Sequence, residues 1–193
     1  MAKAKPITGL DPHAPTGENA RAIARVRLEE MYSWSEYVDD PYDVKDLHNL
    51  RIAAKRLRYT LEVFEDFLPE DCKPIVEELT KIQDELGALH DSDVMIGLLR
   101  LCLGSQESVP MYEQALMEAE KQQGKSGSIL RPELVATLID AKVMPSAHER
   151  YGLEKLLQRH EREREVQYTA FRQHWDQLQE RDFRRQILDI LNR

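Results

Sequence analysis

From Gly17 onward the apolar residues of this chain recur three and four apart, and nowhere do they alternate with polar residues over a strand's length. An α-helix brings side chains spaced this way to a single face, so the pattern predicts an all-α fold. Composition agrees: 41% of residues are hydrophobic, 32% are charged and only 8 are glycine, a profile of soluble, helix-rich proteins. Its 193 residues suffice for one domain or two small ones. By area scaling, folding hides roughly 70% of the surface exposed by the unfolded chain, so a core is feasible without covalent staples.

Proline and glycine punctuate the helical pattern. A first helix is predicted over about Glu18 to Val38, with Ala22, Val26, Met31, Trp34 and Val38 near one face, ended by Asp39-Asp40-Pro41. A second runs from about Asp43 to Phe67 and stops at Leu68-Pro69. Pro74 suits the first turn of a third, which carries Ile75, Leu79, Ile82, Leu86, Leu89, Val94 and Leu98 and reaches about Leu103. Gly104-Ser105 breaks it, and Pro110, Pro132, Pro145 and the stretch QQGKSGS divide residues 105–147 into short pieces, with small helices expected over 111–123 and 132–142. A long helix from Ala147 to about Gln179 and a short one over Phe183 to Leu191 close the chain. The expected architecture is a four-long-helix bundle with short helices inserted before the last long helix, preceded by a flexible arm over residues 1–17.

The arm lacks the apolar stretch of a signal peptide, and no run approaches the ~20 residues needed to cross a bilayer. Cys72 and Cys102 form neither a disulfide framework nor a CxxC pair. A cytoplasmic protein without membrane contact is expected.

The second helix carries the clearest charge pattern. Leu47, Leu50, Ala54, Leu57, Leu61 and Phe64 share one stripe, which reads as core. With His48 at zero, Arg51, Lys55 and Arg58 fall at about 300°, 340° and 280°, one neighbouring arc, whereas Arg56 at about 80° points elsewhere. Residues 47–61 contain no acid. Cations so spaced repel one another by a few tenths of a kcal/mol per pair, a penalty that an anion lying along the strip reverses. The alternative is that these cations pair with carboxylates of the acidic third helix.

On the last long helix, Leu153, Leu157, Phe171, Trp175 and Leu178 make an apolar seam whose middle holds His160 and Arg164. Lys155, Arg159 and Arg162 flank it, interleaved with Glu161, Glu163 and Glu165 as in an ordinary solvated charge run. Arg164 on the seam is the exception, since a buried charge is expensive unless paired.

The string DLHNLRIAAKRLRYTLEVF followed by LGALHDSDVMIGLL resembles the CHAD family, the conserved-histidine α-helical domain, with its HxxRxxxxRLR helix and its LGxxRDxDV helix. GLEKLLQRHEREREVQYTAFRQHW and RDFRRQILDIL resemble the helix and tail that close the family's first half. The resemblance implies a helical domain over 18–193 that binds inorganic polyphosphate through basic side chains, without catalysis and without a cofactor. By that resemblance His48, Arg51, Lys55 and Arg58, and with them Arg159, Arg162 and Arg164, are the expected polyphosphate ligands. His90 stands where the family usually has arginine. Family members usually contain two related halves, each with a basic helix, whereas this chain shows one HxxR stretch, so a homodimer sharing one channel is expected.

Two other functions fit parts of the chain. His48, His90-Asp91 and Asp140 echo the order of ligands in helical metal-dependent phosphohydrolases, which activate water against a phosphoester. A helical adaptor for phosphoproteins or nucleic acid is the other, although no groove-reading element argues for nucleic acid. Neither a Walker-type loop nor a GxSxG elbow is present.

The net charge of −8 at first argues against a polyanion ligand. Residues 65–93, however, hold ten acids against two bases, which accounts for the whole deficit. The question is whether this acidic stretch neutralises the second helix or faces another way.

Overall fold

The computed structural model describes residues 4–104 and 147–193. Among these residues there are five α-helices and no strand: α1 Thr16–Tyr32, α2 Val44–Val63, α3 Lys73–Cys102, α4 Ala147–Glu180 and α5 Phe183–Leu191. The all-α expectation holds. The short helices expected over 111–123 and 132–142, with the rest of residues 105–146, lie outside the described residues.

Local chemistry sets the helix ends. α1 stops at Tyr32, short of the expected Val38, because Ser33 and Ser35 turn their hydroxyls back onto the carbonyls of Glu30 and Tyr32, each at 2.7 Å. A single 3-10 turn, Ser35–Tyr37, follows. Asp43 caps α2 by accepting from the Asp46 amide at 3.1 Å. At its other end α2 gives way to 3-10 turns over Glu65–Phe67 and Glu70–Cys72, with Leu68 extended before Pro69. Asp182, in the left-handed region at φ 52°, makes the corner between α4 and α5.

Residues of the N-terminal arm hydrogen-bond to α1. Lys5 donates from Nζ to the Glu29 carbonyl at 3.4 Å and accepts from Arg27 at 3.0 Å, while Asp11 and Asn19 exchange two hydrogen bonds. At the start of α1 a Cβ on Gly17 would meet the Phe67 carbonyl oxygen at 2.9 Å, so only glycine fits this approach.

The chain divides into two compact units, residues 1–90 with 166–193, and residues 91–165. The first unit holds one continuous core. α2 supplies Leu47, Leu50, Ala54, Leu57 and Leu61 as the periodicity requires, and α3 supplies Ile75, Leu79, Ile82, Leu86 and Leu89. Phe171, Trp175 and Leu178 of α4 and Ile187 and Leu191 of α5 complete it. On α1 the buried stripe is Ala20, Ala24, Leu28 and Met31 rather than Ala22 and Val26, which are half-buried. The small side chains Ala20 and Ala24, with Ala53 and Ala54 of α2, are fully buried and allow close helix approach. In the second unit Ile96, Leu98 and Leu99 are buried, whereas Val94, expected in the core, is exposed.

One buried acid of the first unit is paired across helices. Glu30 of α1, 2% exposed, binds Arg27 of its own helix and Arg56 of α2, which is where the cation off the basic strip goes. The Tyr168 hydroxyl of α4 donates to the Val38 carbonyl at 2.8 Å. No helix among the described residues is long and apolar enough to cross a membrane.

Glu78 of α3 joins Lys81, Arg181 and His174. Burial pushes its carboxyl up, but hydrogen bonds from Arg181 and Lys81 outweigh that and hold it below the usual range. A carboxyl held low in the folded state contributes stability that is complete above its unfolded value, about 4.3, and is lost as pH falls through the folded value. Denaturant titrations at several acidic pH values should therefore show a shallower loss of stability in Glu78→Gln than in the wild type. Identical pH slopes would remove Glu78 from the acid response.

Candidate functional site

Three contacts fix how α2 and α3 face each other within the first unit. The rings of His48 and His90 lie 4.6 Å apart between centroids. Arg51 lies against Gly87, with Nε 3.6 Å from where a glycine Cβ would be built. Arg58 reaches the Thr80 hydroxyl at 3.4 Å. His48, Arg51 and Arg58 thus run up α2 as His90, Gly87 and Thr80 run down α3, with equal steps on both sides. The two helices are antiparallel in one register, and that register sets Gln83 opposite Lys55.

The α3 side of this pairing is Thr80, Gln83, Gly87 and His90, a helical stripe without an acid in an otherwise acidic helix. At 100° per residue Glu78 and Glu85 lie roughly 120–180° away from the residues of that stripe. They face α4, where His174 meets Glu85 at 2.8 Å through Nδ1 and Glu78 at 3.2 Å through Nε2. Glu77, Asp84 and Asp91 are exposed and form no ion pair among the described residues.

Arg51 and Lys55 of the basic strip accordingly have no carboxylate partner from α3 among the described residues. His48, Arg51, Lys55 and Arg58 are all half-buried along one side of α2. Arg51 and Lys55 form no ion pair among the described residues, and Arg58 has only Glu62 of its own helix, at 3.7 Å. The Nε atoms of Arg51 and Arg58 are buried and without a hydrogen-bond partner. Exposed Tyr59 lies beneath two of the cations, with Lys55 Nζ 5.4 Å and Arg58 Cζ 4.9 Å from its ring centroid. The strip combines planar donor forks, one ammonium and an imidazole, a set suited to an extended anion.

The cations of α4 are disposed differently. Arg159 and Arg162 are exposed; Arg159 pairs with Glu163 one turn on at 2.7 Å, and Arg162 forms no ion pair among the described residues. The hydrogen bond to Arg159 holds the Glu163 carboxyl low. Arg164 is buried and ion-paired with Asp93, the second acid of the HDSD stretch. That pairing answers how a charge is tolerated on the apolar seam. These three residues belong to the second unit, those of α2 to the first.

His48 and His90, two of the ligands an HD-type metal site would use, stand in contact, and Asp91 is exposed beside them. Asp140 lies outside the described residues. Among the described residues no three His, Cys, Asp or Glu side chains gather as metal ligands would.

The sequence family model described as the CHAD domain matches residues 3–100, a span from the N-terminal arm through most of α3. The chain belongs to the CHAD family. No curated protein and no solved structure matches it. In this CHAD domain both motifs contribute to one helix pair, the HxxR stretch as the basic side and the LGxxHD stretch, through Gly87 and His90, as the side that faces it.

Thr80, Gln83 and Gly87 escape a search for charged ligands. The signal available for them is negative: positions 80, 83, 87 and 90 recur at helical spacing and avoid acids where their neighbours do not. If the register leaves Lys55 without a counter-charge, Gln83→Glu supplies one at little change in shape. It should stabilise the fold by a few tenths to about 1 kcal/mol at low ionic strength, with the gain disappearing in high salt. Thermal unfolding at both ionic strengths checks this, and no gain at low salt would contradict the facing of Lys55 and Gln83.

Proposed function

We propose that this CHAD domain binds linear inorganic polyphosphate along the strip His48, Arg51, Lys55 and Arg58, and performs no chemistry on it. The observation that carries the reading is that Arg51 and Lys55 have no counter-charge among the described residues while the facing stripe of α3 presents none. Half-buried cations left unneutralised on a rigid helix are a preorganised anion site. Ligand phosphates supply the charge that the fold withholds.

Arg51 and Arg58 stand two turns apart, about 10 Å along the helix, with Lys55 between them. Each guanidinium engages phosphate oxygens through a planar fork, and Lys55 adds a compact charge. His48 donates to the anion when protonated, a state that a bound phosphate favours. Arg159 and Arg162 of α4 are exposed cations of the second unit. Arg164, committed to Asp93, holds its helix in place and leaves the ligand to the others.

Calorimetric titration with polyphosphate of defined length tests the reading. Wild-type protein should bind, and should prefer polyphosphate to DNA of equal charge. Removing each guanidinium should cost roughly tenfold, so Arg51→Ala combined with Arg58→Ala should weaken binding about a hundredfold with the helical circular dichroism unchanged. A half-integral stoichiometry would mean two copies sharing one chain. Undiminished affinity in the double variant would place the site elsewhere.

A further inference from the structure

Gly87 lies in the interior of α3, where glycine is the poorest helix former after proline, and its backbone is not in the left-handed region that favours glycine. Nothing in the helix itself requires glycine there. Outside the helix one thing does: the space a side chain would enter is occupied on its far side by Arg51. A Cβ at position 87 would lie 3.6 Å from Arg51 Nε and 3.9 Å from Nη2, with no other atom from beyond its own stretch of helix within 4 Å. Cζ, bonded to both nitrogens, is farther away than either. The notch at Gly87 therefore looks onto the Nε–Nη2 edge of the guanidinium and not onto its flat face.

The consequences differ between the nitrogens of that group. Nε is sealed from water and has no hydrogen-bond partner. The Nη atoms are not sealed, and Arg51 forms no ion pair among the described residues. We propose that Gly87 is the positioning residue of the strip: by presenting no side chain it lets the edge of Arg51 rest against α3, which fixes the guanidinium and leaves its accessible nitrogens for the anion. The inference rests on the polyphosphate reading of the strip and names a residue outside the strip on which its strength depends. Ordering a long, rotamer-rich side chain before the ligand arrives removes an entropic cost from binding.

The distances discriminate between substitutions. A methyl group at 3.6 Å is in ordinary contact, so Gly87→Ala should melt at a higher temperature and bind polyphosphate as the wild type does. A side chain reaching past Cβ enters the volume of the guanidinium, so Gly87→Leu should lose roughly tenfold in affinity, as much as Arg51→Ala. Because both act through one group, the double variant Gly87→Leu with Arg51→Ala should bind no more weakly than either single one.

Calorimetry on the wild type and these four variants, with circular dichroism as the control for folding, decides the matter. Wild-type affinity in a folded Gly87→Leu, or losses that multiply in the double variant, would overturn the role of Gly87 and leave the polyphosphate reading standing. Failure of the wild type to bind would overturn that reading and this inference with it. Should Gly87→Leu not fold, Gly87→Ala still reports: its methyl group must shift the NMR resonance of the Arg51 Nε–H, and an unmoved resonance would overturn the contact.

Discussion

The charge distribution of this CHAD domain depends on one packing constraint, the antiparallel register of α2 against α3. The tilted ring contact of His48 with His90, the Arg51 edge at Gly87, and Arg58 at Thr80 are three readings of the same alignment. Shifting either helix by one residue would rotate its outward side chains by about 100°. The apolar stripes prevent such a shift, because Leu50, Leu57 and Leu61 of α2 and Leu79, Ile82, Leu86 and Leu89 of α3 are almost wholly buried. Each fully buried leucine or isoleucine contributes about 1.5–3 kcal/mol, whereas repulsion between neighbouring cations on a helix costs only a few tenths per pair. Hydrophobic burial therefore holds the cations together against their own repulsion.

Opposite charges are then allocated by helix face. Acids of α3 that turn toward α4 find partners: Glu78 takes Arg181 and His174, and Glu85 takes His174. Glu30 of α1 takes Arg56, a cation of the second helix that the wheel sets apart from the strip. Arg164 takes Asp93. Arg51 and Lys55 of the strip on α2 take part in no ion pair among the described residues. The deficit of −8 is compatible with the proposed anion binding because the acids of α3 lie on other faces of that helix than the one turned to the strip.

Much of this was legible from periodicity. The core stripe of α2 and the bounds of α5 follow from apolar spacing, and the separation of Arg56 from Arg51, Lys55 and Arg58 follows from the helical wheel. The end of α1 was not legible, because Ser33 and Ser35 act through hydroxyl contacts to carbonyls that no apolar pattern records. Nor was the buried face of α1, where alanines at 20 and 24 compete with Ala22 and Val26 and only the partner helix decides. Arg164 was visible as an anomaly, but its partner Asp93 lies on another helix, more than seventy residues away in sequence. The stripe on α3 was hidden for a different reason: its contribution is the absence of charge and, at Gly87, the absence of a side chain.

The salt dependence of polyphosphate binding tests the central claim most directly, because it counts the charges neutralised on association. By analogy with nucleic acids, each contact contributes somewhat under one unit to the slope of log affinity against log salt, so three permanent cations predict a slope of about −2 to −2.7. Arg51→Ala should bring the slope closer to zero by just under one unit. A wild-type slope near zero, or one that Arg51→Ala leaves unchanged, would contradict the account.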